Sequence, residues 1–261
     1  MTKIKKSYIR ISIISSLETS EWEVGRSLLE ALIETDARLL PEKVGTFEPL
    51  KNSVSDVEGC KPFWAVLNGS GRPGMERNAD GFIWKRSRAI KSYGHMMHKL
   101  RNIHGEVRAA WFVFEASIDR KVDWLKLFDK FCRVLVPDYA TLHLVTEIED
   151  APDAFGEAAD ATYGTNDHLN GVPPIRLKEK GPANLAWANY FGPGLMSEVQ
   201  EDKIRNAGFP VERLGDGIVV RVTDDIFAVE DDFIDFSRRR AELRGLFRSG
   251  LFRINHEPKC P

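Results

Sequence analysis

Cysteine is scarce, no stretch of the chain stays apolar for long, and neither sign of charge dominates. The three cysteines, Cys60, Cys132 and Cys260, lie far apart and share no Cys-x-x-Cys spacing. That argues against a disulfide framework or a zinc knuckle and predicts free thiols in a reducing compartment. No run is long enough and free enough of charge to span a bilayer. The apolar opening from Tyr8 to Ile14 is broken by Arg10 and is followed by no clean small-residue cleavage site, so it predicts a first strand rather than a secretory signal. The expected location is cytoplasmic. A formal charge of −2 over 261 residues lacks the basic excess with which nucleic-acid binders displace counterions from phosphate, so no direct nucleic-acid partner and no membrane partner is expected. A protein partner remains open, as does the oligomeric state.

Signatures of chemistry are equally thin. There is no Gly-x-Ser-x-Gly, no Walker-type Gly-Lys-Ser/Thr and no His-Glu-x-x-His. Gly69-Ser70-Gly71-Arg72-Pro73-Gly74 formally satisfies G-x-G-x-x-G, but no helix opens after Pro73 and no carboxylate stands about twenty residues on to hold a ribose. His95 and His98 have a spacing that a helix would turn one way, with His104 nearby. This is the one place where metal ligation is conceivable, and a pair of surface or partly buried histidines is the plainer reading. Glu201-Asp202-Lys203 has a nuclease-like E-x-K order, with Asp153 upstream, yet it falls on a polar helix face rather than on a strand. The residues therefore predict no cofactor, no metal site and no catalytic residue, with a metal-assisted enzyme using His95 and His98 kept as a rival.

What the chain does have is mixed periodicity. Ser20 and Glu23 have capping-box spacing ahead of Leu29, Leu32, Ile33 and Leu40, which predicts a helix ending before Pro41. Phe63 to Asn68 reads as a short buried strand; Phe82 to Ala89 fits a strand or a helix and Ile90 to Ile103 a helix or a loop, with strand and then helix as the preferred order. Val107 to Glu115, rich in aromatic and β-branched residues, predicts a central strand. Asp119 is the expected N-cap of a helix carrying Val122, Leu125, Phe128, Cys132 and Leu135, stopped by Pro137. Tyr139 to Val145 predicts another strand, and Gly164 to Pro182 a loop. A helix is expected from Pro193 to Gly208, and a hairpin around Gly215-Asp216-Gly217. A last helix is expected to bury Phe233, Phe236, Leu243 and Phe247 and to turn Arg238, Arg239, Arg240 and Arg244 to solvent. The irregular order favours an α+β fold, a largely antiparallel sheet packed with several helices. One domain over residues 1–261 is expected, with a division into sub-lobes of about 1–150 and 151–261 left open.

Two acidic runs stand out. Asp224, Asp225, Glu230, Asp231, Asp232 and Asp235 include no basic neighbour, and Glu147, Glu149, Asp150, Asp153, Glu157 and Asp160 form a second run. Asp231 and Asp232 suit a helix N-terminus, and most such charges are solvated faces. Their functional reading is a surface that docks onto a cationic partner. Affinity would then need an aromatic anchor, for which Trp84, Tyr163 and Tyr190 qualify only if exposed.

The most distinctive segment runs from Leu185 to Met196. It is aromatic and amide-bearing, with no nucleophile, base or metal ligand. Its Trp187-x-Asn189-Tyr190-Phe191-Gly192-Pro193 core, the hairpin from Leu214 to Asp224 and the earlier Phe63 to Gly69 resemble the immunity protein 52 family of bacterial polymorphic toxin systems, and more distantly the type VI immunity domains. The resemblance implies a cytoplasmic immunity protein that binds a cognate toxin and occludes its active site. The implied toxin is a nuclease effector of restriction-endonuclease-like fold. Trp187, Asn189, Tyr190, Phe191, Gly192 and Pro193 are expected to shape the fold, with Trp187 and Phe191 buried and Asn189 satisfying backbone groups. A non-catalytic secretion-system adaptor is the other rival.

Overall fold

Eight consecutive residues, Tyr8–Ser15, form the first strand, β1, and all of them are buried, Arg10 and Ser12 included. A strand covered on both faces belongs inside a sheet rather than at its edge. The computed structural model describes residues 7–67, 78–101, 105–151, 154–155 and 181–258. The chain divides into two compact units, Ile13–Val136 and Met1–Ser12 with Pro137–Pro261, and β1 passes from one into the other.

In the unit Ile13–Val136 the elements are α1 (Trp22–Thr35), β2 (Lys43–Gly45), β3 (Asn52–Ser53), β4 (Phe82–Arg86), β5 (Ser92–Met97), β6 (Leu100–Arg101), β7 (Val107–Arg108), β8 (Ala110–Ser117) and α2 (Trp124–Leu135). The strand order is β8-β5-β4-β2-β3, with β1 beside β8. The pairs from β8 to β3 are antiparallel. β6 and β7 pair separately with each other. Helix α1 forms without the expected capping box: Glu21 is its N-cap and makes no side-chain cap bond, while Ser20 Oγ donates to Glu18 Oε1 at 2.9 Å. Burial of Trp22, Leu28, Leu29 and Leu32 on one face carries it instead. The N-cap of α2 is Asp123, which accepts the Lys126 N–H at 2.9 Å; Asp119 caps the preceding turn through Lys121 N–H.

Two other expectations fail in this unit, both for tertiary reasons. Phe63 to Leu67 forms no strand, and Asn68 lies outside the described residues: Glu58–Phe63 make a 3-10 turn that drops Trp64 into the core, where its Nε1 donates to Thr19 O at 3.0 Å. Ser92–Met97 is a strand, not a helix, with Ser92, Gly94 and Met96 buried on one face. Gly94 pairs with Trp84 on β4, and a Cβ there would lie 2.0 Å from the indole. Trp84 thus fills the space a side chain would need. An aromatic series runs from Trp64 through Phe82, Trp84 and Phe112 to Phe131, with successive ring centroids 5.2, 5.6, 5.8 and 5.0 Å apart. It binds the sheet to α2.

The other unit contains β9 (Tyr139–Val145), β10 (Ala188–Phe191), α3 (Glu201–Asn206), β11 (Val211–Leu214), β12 (Gly217–Arg221), α4 (Ala228–Asp231) and α5 (Phe233–Arg244). Its strand order is β11-β12-β10-β9, with β1 beside β9, and the β11, β12, β10 and β9 neighbours are antiparallel. Leu214 pairs with Gly217, so the hairpin turns on two residues, and Gly215 at φ +56° supplies the conformation that such a turn demands. The helix expected from Pro193 begins late. A turn and a short 3-10 segment, Met196–Glu198, precede α3, which ends at Gly208 in the left-handed region. Antiparallel strands interleaved with helices make this an α+β fold.

Candidate functional site

Residues Ala188 to Phe191 are β10, and Asn189 shows why an amide belongs there. It is fully buried among backbone groups. Its Oδ1 accepts from Ala186 N–H at 2.9 Å and Tyr139 O–H at 3.1 Å; its Nδ2 donates to Ala186 O at 2.9 Å and Val220 O at 3.4 Å. Every hydrogen-bonding position of the amide is used. Trp187 is buried and its indole N–H donates to Thr223 Oγ1 at 2.8 Å. Phe191 stacks on Phe247 at 5.4 Å, and Tyr190 lies against Gly217. A Cβ at Gly192 would stand 2.2 Å from Pro137 O. Pro193 is exposed at the start of the turn after β10. None of the buried aromatic side chains is available to a partner.

Behind this strand lies an ionic chain that the periodicity did not reveal. The Trp187 backbone N–H donates to His143 Nδ1 at 2.9 Å, so the proton of a neutral imidazole sits on Nε2 and is given to Glu149 Oε2, also 2.9 Å away. Glu149 Oε1 accepts from Arg240 Nη1 at 2.7 Å; Arg240 Nε and Nη2 both reach Glu257 Oε2, at 2.8 and 2.6 Å. Ser237 Oγ donates to the same oxygen at 2.8 Å, and Arg244 holds the other oxygen of Glu257. Both the Arg240 and Glu149 side chains are 0% exposed. Burial pulls the Arg240 guanidinium down, but Glu149 and Glu257 more than offset it and hold it above its ordinary value. Burial likewise pushes the Glu257 carboxyl up, and Arg240, Arg244 and Ser237 bring it below the usual range. For Arg244, burial outweighs Glu257 and lowers the value.

These positions correct two expectations. Arg240 and Arg244, with side chains 0% and 10% exposed, do not face solvent, and Glu149 is not part of a solvated acidic face. The stripe Phe236, Arg240, Leu243, Phe247 has helical spacing, so Arg240 falls on the apolar side of α5. That spacing was the signal available for it.

The acidic run from Asp224 to Asp235 behaves differently. Asp224, Asp225, Glu230, Asp231 and Asp232 are exposed, and Asp235 is half-buried. Several carboxylates also organise the backbone. Asp225 Oδ1 accepts from Phe227 N–H at 3.0 Å, Asp232 Oδ1 caps α5 through Asp235 N–H at 3.0 Å, and Asp235 pairs with Arg238 at 2.5 Å. The run is therefore a shaped display: α4, the cap and the first turn of α5, with Ile234 standing 73% exposed among the acids. In the second run Glu147 is exposed and Asp150 half-buried, while Asp153, Glu157 and Asp160 lie outside the described residues.

The histidine pair does not converge. His95 is on β5 and His98 just beyond it, and a separation of three along an extended chain turns side chains to opposite faces. His98 is buried, with Nε2 2.6 Å from Trp64 O and Nδ1 3.1 Å from Thr19 Oγ1, so both ring nitrogens are committed. Burial lowers the affinity of both imidazoles for a proton. Among the described residues no group of three or more His, Cys, Asp or Glu side chains is placed to hold a metal. Burial pushes the Cys60 thiol up to about 12 and Cys132 well above its usual value, the opposite of an activated nucleophile. Glu201 is engaged by Arg205 and Arg213, and Lys203 Nζ donates to Leu246 O. Trp84 and Tyr190, the conditional anchors, are buried; Tyr163, His104 and Gly69 to Gly74 lie outside the described residues.

The unit Ile13–Val136 carries one further feature, a groove of about 320 Å³ lined by Leu67, Leu100, Val107, Lys99, Arg101 and Asn78 among others. Asn78 steadies its β6 side, donating to Arg101 O at 3.1 Å and accepting from Arg101 N–H at 3.3 Å.

No protein-family model matches the chain. Nor does any curated protein match it. The fold itself has precedent. Among solved structures the chain is similar to the Pseudomonas aeruginosa T6SS protein PA0821, with a TM-score of 0.56 at 15% sequence identity, over 94% of this chain and 73% of that one. At that identity the likeness speaks for the fold. Among the described residues no helix is long and apolar enough to cross a membrane.

Proposed function

We propose that this chain is an immunity protein of a type VI or similar secretion system, which binds a cognate toxin in the cytoplasm and blocks it by occlusion. The observation that carries the reading is the contrast within one unit. A frame whose polar groups are spent on one another supports an exposed row of carboxylates from Asp224 to Asp232. A surface of that kind suits a stoichiometric binder, because it complements a cationic face without any group poised for turnover. A nuclease toxin needs such a face to hold phosphate, and an acidic inhibitor that covers it imitates the nucleic acid's charge. The likeness of the Trp187 to Pro193 motif to the immunity protein 52 family supports the same reading, and so does a fold shared with a protein named for type VI secretion. A metal-assisted enzyme is less well supported, since His98 has both nitrogens bonded within the protein.

The decisive experiment is co-expression with the toxin encoded by the adjacent gene. Rescue of the poisoned cell, together with a stable one-to-one complex, is expected. Full lethality with no complex would instead favour a secretion-system adaptor, and multiple turnover of a metabolite by the isolated chain would favour an enzyme.

A further inference from the structure

The large apolar side chains left exposed among the described residues include two complementary sets. Leu67 and Val107 line the groove, and Met97 lies two residues before its Lys99. Ile234 stands alone in the first turn of α5. The two places carry opposite charge. Lys99 and Arg101 line the groove with one carboxylate, Glu18, and Arg108 is exposed opposite Leu100 in the β6–β7 pair, so cations outnumber acids there. Neither Lys99 nor Arg108 has an ion-pair partner among the described residues. Around Ile234 the exposed neighbours are the acids from Glu230 to Asp232 and, one turn on, Arg238, whose charge is engaged by Asp235 and Glu242.

We propose that the groove receives the first turn of α5 from a second copy of the chain. Ile234 enters between Leu67, Leu100 and Val107, and the flanking carboxylates face Lys99, Arg101 and Arg108. The cavity has room for an aliphatic side chain, whose insertion supplies affinity while the charges set register and encounter rate. Groove and knob are different surfaces, so the contact is heterologous and leaves one of each unused in a pair. With so small a footprint the association is weak and concentration-dependent. The inference does not rest on the toxin reading, because the purified chain alone tests it. Where both hold, self-association covers the carboxylates offered to the toxin and competes with it.

The test is sedimentation of the full-length chain over a range of concentrations and salt. The average mass is expected to rise above that of one chain with concentration and to fall back as salt is added. Ile234→Lys and Val107→Glu, both at exposed positions, are each expected to weaken self-association by at least about tenfold, with circular dichroism confirming the fold. Mixing the two variants is then expected to restore a one-to-one pair, because one retains the groove and the other the knob. The proposal is overturned if the unaltered chain keeps a single-chain mass throughout, if either variant associates as the unaltered chain does, or if the mixture stays dissociated.

Discussion

Arg240 concentrates the physics of this protein in one side chain. Its charge is stable in the core only because Glu149 and Glu257 flank it, and each of those is itself hydrogen-bonded elsewhere. Removing one member of a buried pair leaves the other charge uncompensated, at a cost of about 3–5 kcal/mol. Arg240→Ala is expected to lose stability on that scale in urea unfolding; a change below about 1 kcal/mol would mean that water already reaches Glu149. Glu257 gives the pH dependence. Its carboxyl is lower in the folded chain than in the unfolded one, so its contribution is present above the ordinary carboxylate range and disappears as pH falls through the depressed value. Glu257→Gln is expected to lower stability at neutral pH and to flatten the acid limb from the ordinary carboxylate range downward, as linkage requires. A parallel downward displacement across all pH values would assign the loss to packing.

At the scale of elements, local chemistry and distant partners can pull in opposite directions. Ala exceeds Gly in helix propensity by about 0.8–1.0 kcal/mol, so Gly25→Ala in α1 would stabilise an isolated helix. Here a Cβ would lie 2.5 Å from the Trp64 indole, and overpacking of that kind costs about 1–3 kcal/mol. The variant is therefore expected to melt lower, and a higher melting temperature would show that Trp64 can move aside. The same tension explains what was legible in the chain. Tyr139–Val145 and the Gly215-Asp216 hairpin announce themselves because alternation and turn glycines are short-range signals. Ser92–Met97 was hidden because its Gly94 makes sense only beneath Trp84, ten residues away. Trp64 misled for a similar reason, since its indole is held by Thr19 and received by Gly25. The acidic run was readable as composition, whereas its division into caps, an ion pair and exposed carboxylates depends on where α5 begins. Arg240 looked like one of a row of solvated arginines, because the partners that identify it stand at positions 149 and 257.

For the molecule as a whole, the expectation that matters is how it meets a cationic partner. If the proposed immunity role holds, reversing charge at Asp224, Asp225, Asp231 and Asp232 is expected to slow association with the proposed toxin and to make the rate less dependent on salt, because exposed charges act mainly by steering. Stopped-flow kinetics over a salt series checks this, and unchanged rates would reject the acidic surface while leaving immunity standing. Asp225 and Asp232 also accept backbone N–H bonds, so their replacement should additionally cost about 1 kcal/mol each in stability.

The place where Trp84 lies over Gly94 has a use of its own. Trimming that tryptophan to glycine would leave a dry slot in the outline of an indole, walled by Phe82, Phe112 and Phe114. Apolar voids of this sort take up small aromatic molecules. Free indole should therefore raise the melting temperature of Trp84→Gly and leave the unaltered chain indifferent, making the protein's integrity answer to an added compound.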